Sequence, residues 1–207
     1  MLDLPKSTYV GRIIAKDKIY AAGGADSSLK GVFAKQVERV RWLNKISPAT
    51  VSIVQGELVE EIQVIEVSLT TLEPDKRILS TIQKAIRYKI VFVLVCKGKQ
   101  SYFAYYDNKT SFTSDTPPKL AGHDTDSVWE NIIIQLRGGP IDEGKTLDEQ
   151  IAADVECESL TRQIERLVKQ ARNEKQPRRK WELFEEARRI NHSLNFKQGV
   201  KSNESTR

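Results

Sequence analysis

The sequence predicts an α+β fold, a mixed sheet covered by helices, that carries a C-terminal helical hairpin or short coiled coil. Three observations lead there. "EEIQVIEVSL" and "YKIVFVLVC" are β-branched runs apolar on both faces, as strands inside a covered sheet are. Stripes at helical spacing stand between and after them. Past residue 144, two long amphipathic segments meet at Pro177, with no strand pattern left.

The chain opens with "LPKSTYVGRIIAKDKIYAAGGADSS", a basic arm or short strand followed by a Gly-Gly loop. Leu29, Val32, Phe33, Val37, Val40 and Leu43 or Asn44 then follow helical spacing. Ser27 or Ser28 caps this helix, and Pro48 bars continuation past Ser47. "ATVSIVQG" and "LVEEIQVIEVSLTT" read as strands. In the second, Ile62 and Val64 point to one face, and Ile65, Val67 and Leu69 to the other. "EPDKRILSTIQKAI" is a helix with Pro74 in its first turn and the stripe Ile78, Leu79, Ile82, Ala85, Ile86. "YKIVFVLVC" is a buried strand, paired through "KGK" with "QSYFAYY"; a turn at Asp107-Asn108 leads to "TSFTS". "DSVWENIIIQL" is the last helix of the globular part, ended by Gly138-Gly139-Pro140.

These elements set a globular domain at 1–144, a helical hairpin at 145–196 and a disordered tail at 197–207. In the hairpin, Thr146 and Glu149 have capping-box spacing. Leu147, Ile151 and Val155 lead into Cys157, Leu160, Ile164, Leu167 and Ala171, which step as a heptad does. After Pro177, a second stripe runs through Trp181, Phe184, Ala187, Asn191 and Leu194, which places Trp181 in a core.

Apolar residues make up 39% of the chain and charged residues 29%, the balance of a globular, rather polar protein. The longest apolar run, "IVFVLVC", falls far short of the ~20 residues a membrane helix needs. No signal peptide is evident, and Cys96 and Cys157 sit in different parts of the chain. The expectation is a cytoplasmic protein without disulfides.

A net charge of +5 suits an anionic partner without demanding one. The dense cluster is "QARNEKQPRRKW", in which five of twelve residues are basic. Lys169, Arg172, Lys175, Arg178, Arg179 and Lys180 would form a positive knob at the hairpin tip. The plain reading is a solvated elbow whose charges complement a helix dipole. The alternatives are phosphate contact and an acidic protein partner.

Catalytic signatures are sparse. His123 lies in a Pro/Gly/Asp loop and His192 in the second hairpin helix, neither with a partner at metal-ligand spacing. Asp124 and Asp126 read as helix caps. The glycine pairs at 23–24 and 138–139 lack the pattern that cradles a phosphate. No metal, cofactor or catalytic residue is implied. One constellation remains. Helix, acid-bearing strands, helix and strand is also the order of the restriction-endonuclease-like core, with Glu38, Glu57 or Glu60, and Glu66 as candidate acids. The lysine expected two residues after Glu66 is Ser68, which argues against a working nuclease. Glu60, Glu61 and Glu66 otherwise mark a polar edge or pairing partners.

Several blocks together resemble a bacterial family. They are "LPKST", "RIIAKDKIY", "VERVRWLNKISPATVSI", "VEEIQVIEVSL", "IQKAIRYKIVFVL" and the tail "LTRQIERLVKQARNEKQPRRKWEL". The family is domain of unknown function 4391, and the similarity runs from Leu4 to Leu194. Ala15 and Arg87 stand where that family commonly has proline. The resemblance implies no activity. It implies work beside DNA methyltransferases and helicases, in restriction-like or anti-phage islands. The expectation is a non-enzymatic accessory subunit that binds a larger helicase, nuclease or methyltransferase subunit. Leu160, Ile164, Leu167, Trp181 and Phe184 would be its contacts, would pair copies of the chain, or would pack within the chain itself. A module binding DNA through the tip and Lys6, Arg12, Lys16 and Lys18 is the second expectation, and a divergent nuclease the third.

Overall fold

The computed structural model describes residues 2–107 and 110–204, with side chains described to Asn195. The chain divides into two compact units, Met1–Pro140 and Ile141–Arg207. The sequence places this boundary at about 144.

The first unit is built on a six-stranded mixed sheet. Its strands, in spatial as in chain order, are β1 (Tyr9–Ile13), β2 (Val37–Ile46), β3 (Ile62–Leu69), β4 (Lys89–Cys96), β5 (Lys99–Tyr105) and β6 (Ser111–Ser114). Every neighbouring pair is antiparallel except β3 and β4, which run parallel. A parallel pair needs a crossover, and α3 (Lys76–Ala85) supplies it. The turn expected at Asp107-Asn108 reaches residue 108, outside the described residues.

One face of the sheet packs beneath α1 (Lys16–Gly23), α2 (Ser27–Gln36) and α3. There Phe33, Val37, Val40, Ile65, Val67, Ile78, Ile82, Ile90 and Phe92 form one apolar cluster. On the other face, α4 (Thr125–Arg137) brings Ile132 to Ile46, Val64 and Val91. Every residue of β3 is buried, because both faces are covered along most of its length.

Three expectations need correction. The helix expected to run from Leu29 toward Ser47 stops at Gln36, and the chain continues as β2. The reason is two β-bulges. Between Val37 and Arg39, and again between Trp42 and Asn44, β2 advances two residues while β3 advances one. The buried positions therefore recur at Val37, Val40, Leu43 and Ile46, a spacing of three that imitates a helix. Val37 and Val40 join the cluster under the helices, whereas Leu43 lies on the opposite face with Val93. Second, "ATVSIVQG" forms no strand. Its one ladder contact is an isolated bridge from Val54 to Asp124. Third, "KDKIYAAG" in the N-terminal segment is the helix α1, closed by Gly24 in the left-handed conformation that glycine adopts freely.

The second unit is a helical hairpin of α5 (Leu147–Asn173) and α6 (Pro177–Glu204), which pack on one another. Thr146 and Glu149 form the expected capping box. Helical backbone continues to Glu204, into the stretch where the sequence suggests a disordered tail at 197–207. Side chains past Asn195 and residues 205–207 lie outside the described residues. Among the described residues, no helix is long and apolar enough to cross a membrane.

Candidate functional site

The hairpin is assembled around a heptad seam. On α5, Leu160, Ile164, Leu167 and Ala171 are buried or half-buried. On α6 the matching positions are Leu183, Ala187, Ile190 and Leu194. Both sets step by four, three and four, which keeps them on one side of a helix. Trp181 and Phe184 are not among them. Each residue turns the helix by about 100°, so Trp181, two before Leu183, and Phe184, one after it, face away from the seam. Trp181 is 64% exposed and Phe184 39%. The expectation that Trp181 lies in a core is thus overturned by helical phase. Of the five residues proposed as a contact stripe, Leu167 is buried, Leu160 and Ile164 are half-buried, and the two aromatics stand in solvent.

The tip is an organised turn. Glu174 ends α5, and its carboxylate accepts hydrogen bonds from the backbone N–H groups of Lys175 (2.8 Å) and Gln176 (3.0 Å). The bond from Gln176 is the main reason its carboxyl sits below the ordinary glutamate range. Arg179 lies 3.9 Å from the same carboxylate, and Arg178 bonds Glu182 at 3.3 Å. Lys169, Arg172, Lys175 and Lys180 are exposed and make no ion pair among the described residues. The six basic residues are therefore brought to one elbow, with Trp181 directly after them.

The N-terminal cations are not an arm. Lys6 opens a 3₁₀ turn, Arg12 lies on edge strand β1, and Lys16 and Lys18 lie on α1. The Lys16 ammonium donates to the Val37 carbonyl.

The candidate nuclease acids do not gather. Glu38 is exposed on β2 rather than on a helix, Glu57 is exposed in a loop, Glu60 pairs with Arg87 at 3.0 Å, and Glu66 pairs with Arg41 at 2.8 Å. Glu61, a polar-edge residue, pairs with Lys45. Among the described residues, no three His, Cys, Asp or Glu side chains form a group able to hold a metal. Glu66 shares its face of the sheet with Arg41, and Arg39 reaches its second oxygen at 3.9 Å. Two cations thus flank Glu66 where a nuclease would need a second acid. The hydrogen bond to Glu66 is the chief cause that raises the Arg41 pKa. Sequence reasoning singled out Glu66 and missed both arginines. The alternation "RVR" in β2 was the available signal.

His123 is exposed, and its carbonyl accepts from the Val54 N–H. Asp124 is the N-cap of α4, with its carboxyl lowered chiefly by the Ser127 N–H. Asp126 has a different task. Its carboxylate accepts from three consecutive backbone N–H groups, Glu57, Leu58 and Val59, at 2.7–3.2 Å. That bond set fixes a loop which presents Leu58 to solvent, 89% exposed. Cys96 is buried, Cys157 half-buried, and both are free thiols.

A family model described as "Domain of unknown function (DUF4391)" matches residues 2–194. No curated protein and no solved structure matched the chain.

Proposed function

This chain belongs to the DUF4391 family, and we propose that it is a non-enzymatic accessory subunit of a DNA restriction or anti-phage complex. Its hairpin docks a larger helicase, nuclease or methyltransferase subunit. The observation that carries this reading is the exposed pair Trp181 and Phe184 on the outer face of a braced helix. Exposed aromatics beside arginine are what the centre of a protein interface is made of. The choice of a DNA-processing partner rests on the family resemblance, and the basic tip is compatible with it. The test is a tagged pull-down from the native host, with and without nuclease treatment, using wild type and Trp181→Ala/Phe184→Ala. A stoichiometric helicase or methyltransferase that survives nuclease and is lost in the double variant supports the reading. Retention of that partner by the double variant overturns the assigned surface. Recovery of only a second copy of the chain replaces the reading with self-association.

The exposed cations of the tip favour a second reading, direct binding of nucleic acid by Lys169, Arg172, Lys175, Arg178, Arg179 and Lys180. It applies if the captured partners vanish with nuclease treatment.

A further inference from the structure

The first unit holds a cleft of about 290 Å³ that the hairpin reading does not use. It opens on the sheet face that carries β2, β3 and β4, and its floor includes Arg41, Glu66 and Val93. Leu4, Leu43 and Tyr9 help to wall it, and Lys6 stands at its side.

Glu66 is 7% exposed in the middle of β3, beside apolar Val64 and Val67. Arg41 opposite it is only half-buried, its side chain 29% exposed, so the ion pair is not sealed from water and adds little net stability. Its geometry suits another task. The Arg41 guanidinium is held by its Nη2 bond to Glu66, while its Nε is buried with no partner. A guanidinium has five donors in a fixed fork, so this one is oriented but far from saturated. Arg39 stands on the same face, 3.9 Å from Glu66 but outside the lining of the cleft. Within the lining, Lys6 and Arg41 set two positive charges against one negative charge.

A positive fork at the base of an apolar cleft selects an anion that carries an apolar body. Tyr9, 63% exposed at the rim, offers a ring for stacking. We propose that this cleft binds one nucleotide through a terminal phosphate, with the phosphate on Arg41 and Lys6 and the base against the leucines and Tyr9. The volume is at the lower end for small-molecule sites, about 300 Å³, the scale of a single nucleotide. The source is a free nucleoside monophosphate or the 5′-phosphorylated end of a strand.

The test is calorimetric titration of the full chain with AMP, GMP, inorganic phosphate, a short 5′-phosphorylated oligonucleotide and its 5′-hydroxyl counterpart. Saturable one-to-one binding is expected, with phosphate as a weak competitor. Lys6→Ala changes an exposed group that the fold does not require, and Arg41→Lys keeps the charge but removes the fork; each should weaken binding at least about tenfold, the loss of one charge-assisted hydrogen bond. Preference for the phosphorylated oligonucleotide over its hydroxyl form identifies a strand end, and preference for AMP or GMP identifies free nucleotide. Lys84→Glu, on α3 across the sheet from the cleft, shifts the net charge by two units and should leave AMP and GMP binding unchanged, so it separates the cleft from the overall charge. No saturable binding by any phosphate probe overturns the proposal, as does binding that Lys6→Ala and Arg41→Lys both retain.

Discussion

Asp126 shows how one side chain can hold a loop that has no secondary structure. Residues 56–59 sit in no helix or strand, yet three of their N–H groups end on one carboxylate and that of Gly56 ends on the Thr125 hydroxyl. The approach is so close that a Cβ on Gly56 would lie 2.3 Å from the Asp126 carboxyl carbon. Each such bond to a charged acceptor contributes more than a neutral one, and unpaired donors resist burial. Asp126→Ala should therefore lower stability by about 2–3 kcal/mol in urea denaturation, and amide exchange should accelerate at 57–59. Asp126→Asn keeps an acceptor oxygen and should recover part of the loss. A change below about 0.5 kcal/mol, the level of an ordinary surface substitution, would show that the loop is held by its ends alone.

Among the elements, the hairpin separates residues that hold it from residues it displays. Leu167 is 6% exposed in the seam, so Leu167→Ala should destabilise the protein by about 2–4 kcal/mol. Trp181→Ala removes a side chain that faces solvent and should move the melting transition by no more than about 0.5 kcal/mol, as scanning calorimetry would read it. A comparable loss from both would mean that Trp181 packs after all. Sequence spacing found α5 and its cap because a long helix repeats its pattern many times. On α6 it found Ala187 and Leu194 but took Trp181 and Phe184, two aromatics at spacing three, for the seam in place of Leu183 and Ile190. It misread β2 because two bulges stretch a period of two into a period of three. The strands β3 and β4 and the helices α3 and α4 were legible, since burial on one or two faces writes itself directly into composition. The cleft was not. Arg41 and Glu66 are 25 positions apart and meet only through the register of β2 on β3, which no local pattern encodes.

At the scale of the whole molecule, the question is whether the basic elbow is a site or a share of the overall charge. The chain carries a net charge of +5, so any nucleic acid will attract it weakly. Reversing Arg178, Arg179 and Lys180 to glutamate shifts six charge units and outweighs that excess by itself. Lost binding in the triple variant alone would therefore prove nothing about place. The control is Lys84, Lys97 and Lys99 reversed to glutamate, three exposed lysines of the first unit that change net charge equally. Binding to duplex DNA is then measured against salt, where each phosphate contact contributes about 0.9 to the slope of log K on log salt. If the elbow touches phosphate, its triple variant should reduce the slope by about 3, and the lysine control should weaken binding while leaving the slope near that of the wild type. If both variants weaken binding alike with the same slope change, the charge acts as a diffuse field and the elbow is only the turn that Glu174 closes. Should duplex DNA bind neither the wild type nor the variants, nucleic acid drops out, and the exposed Trp181 beside the tip is left to a protein partner.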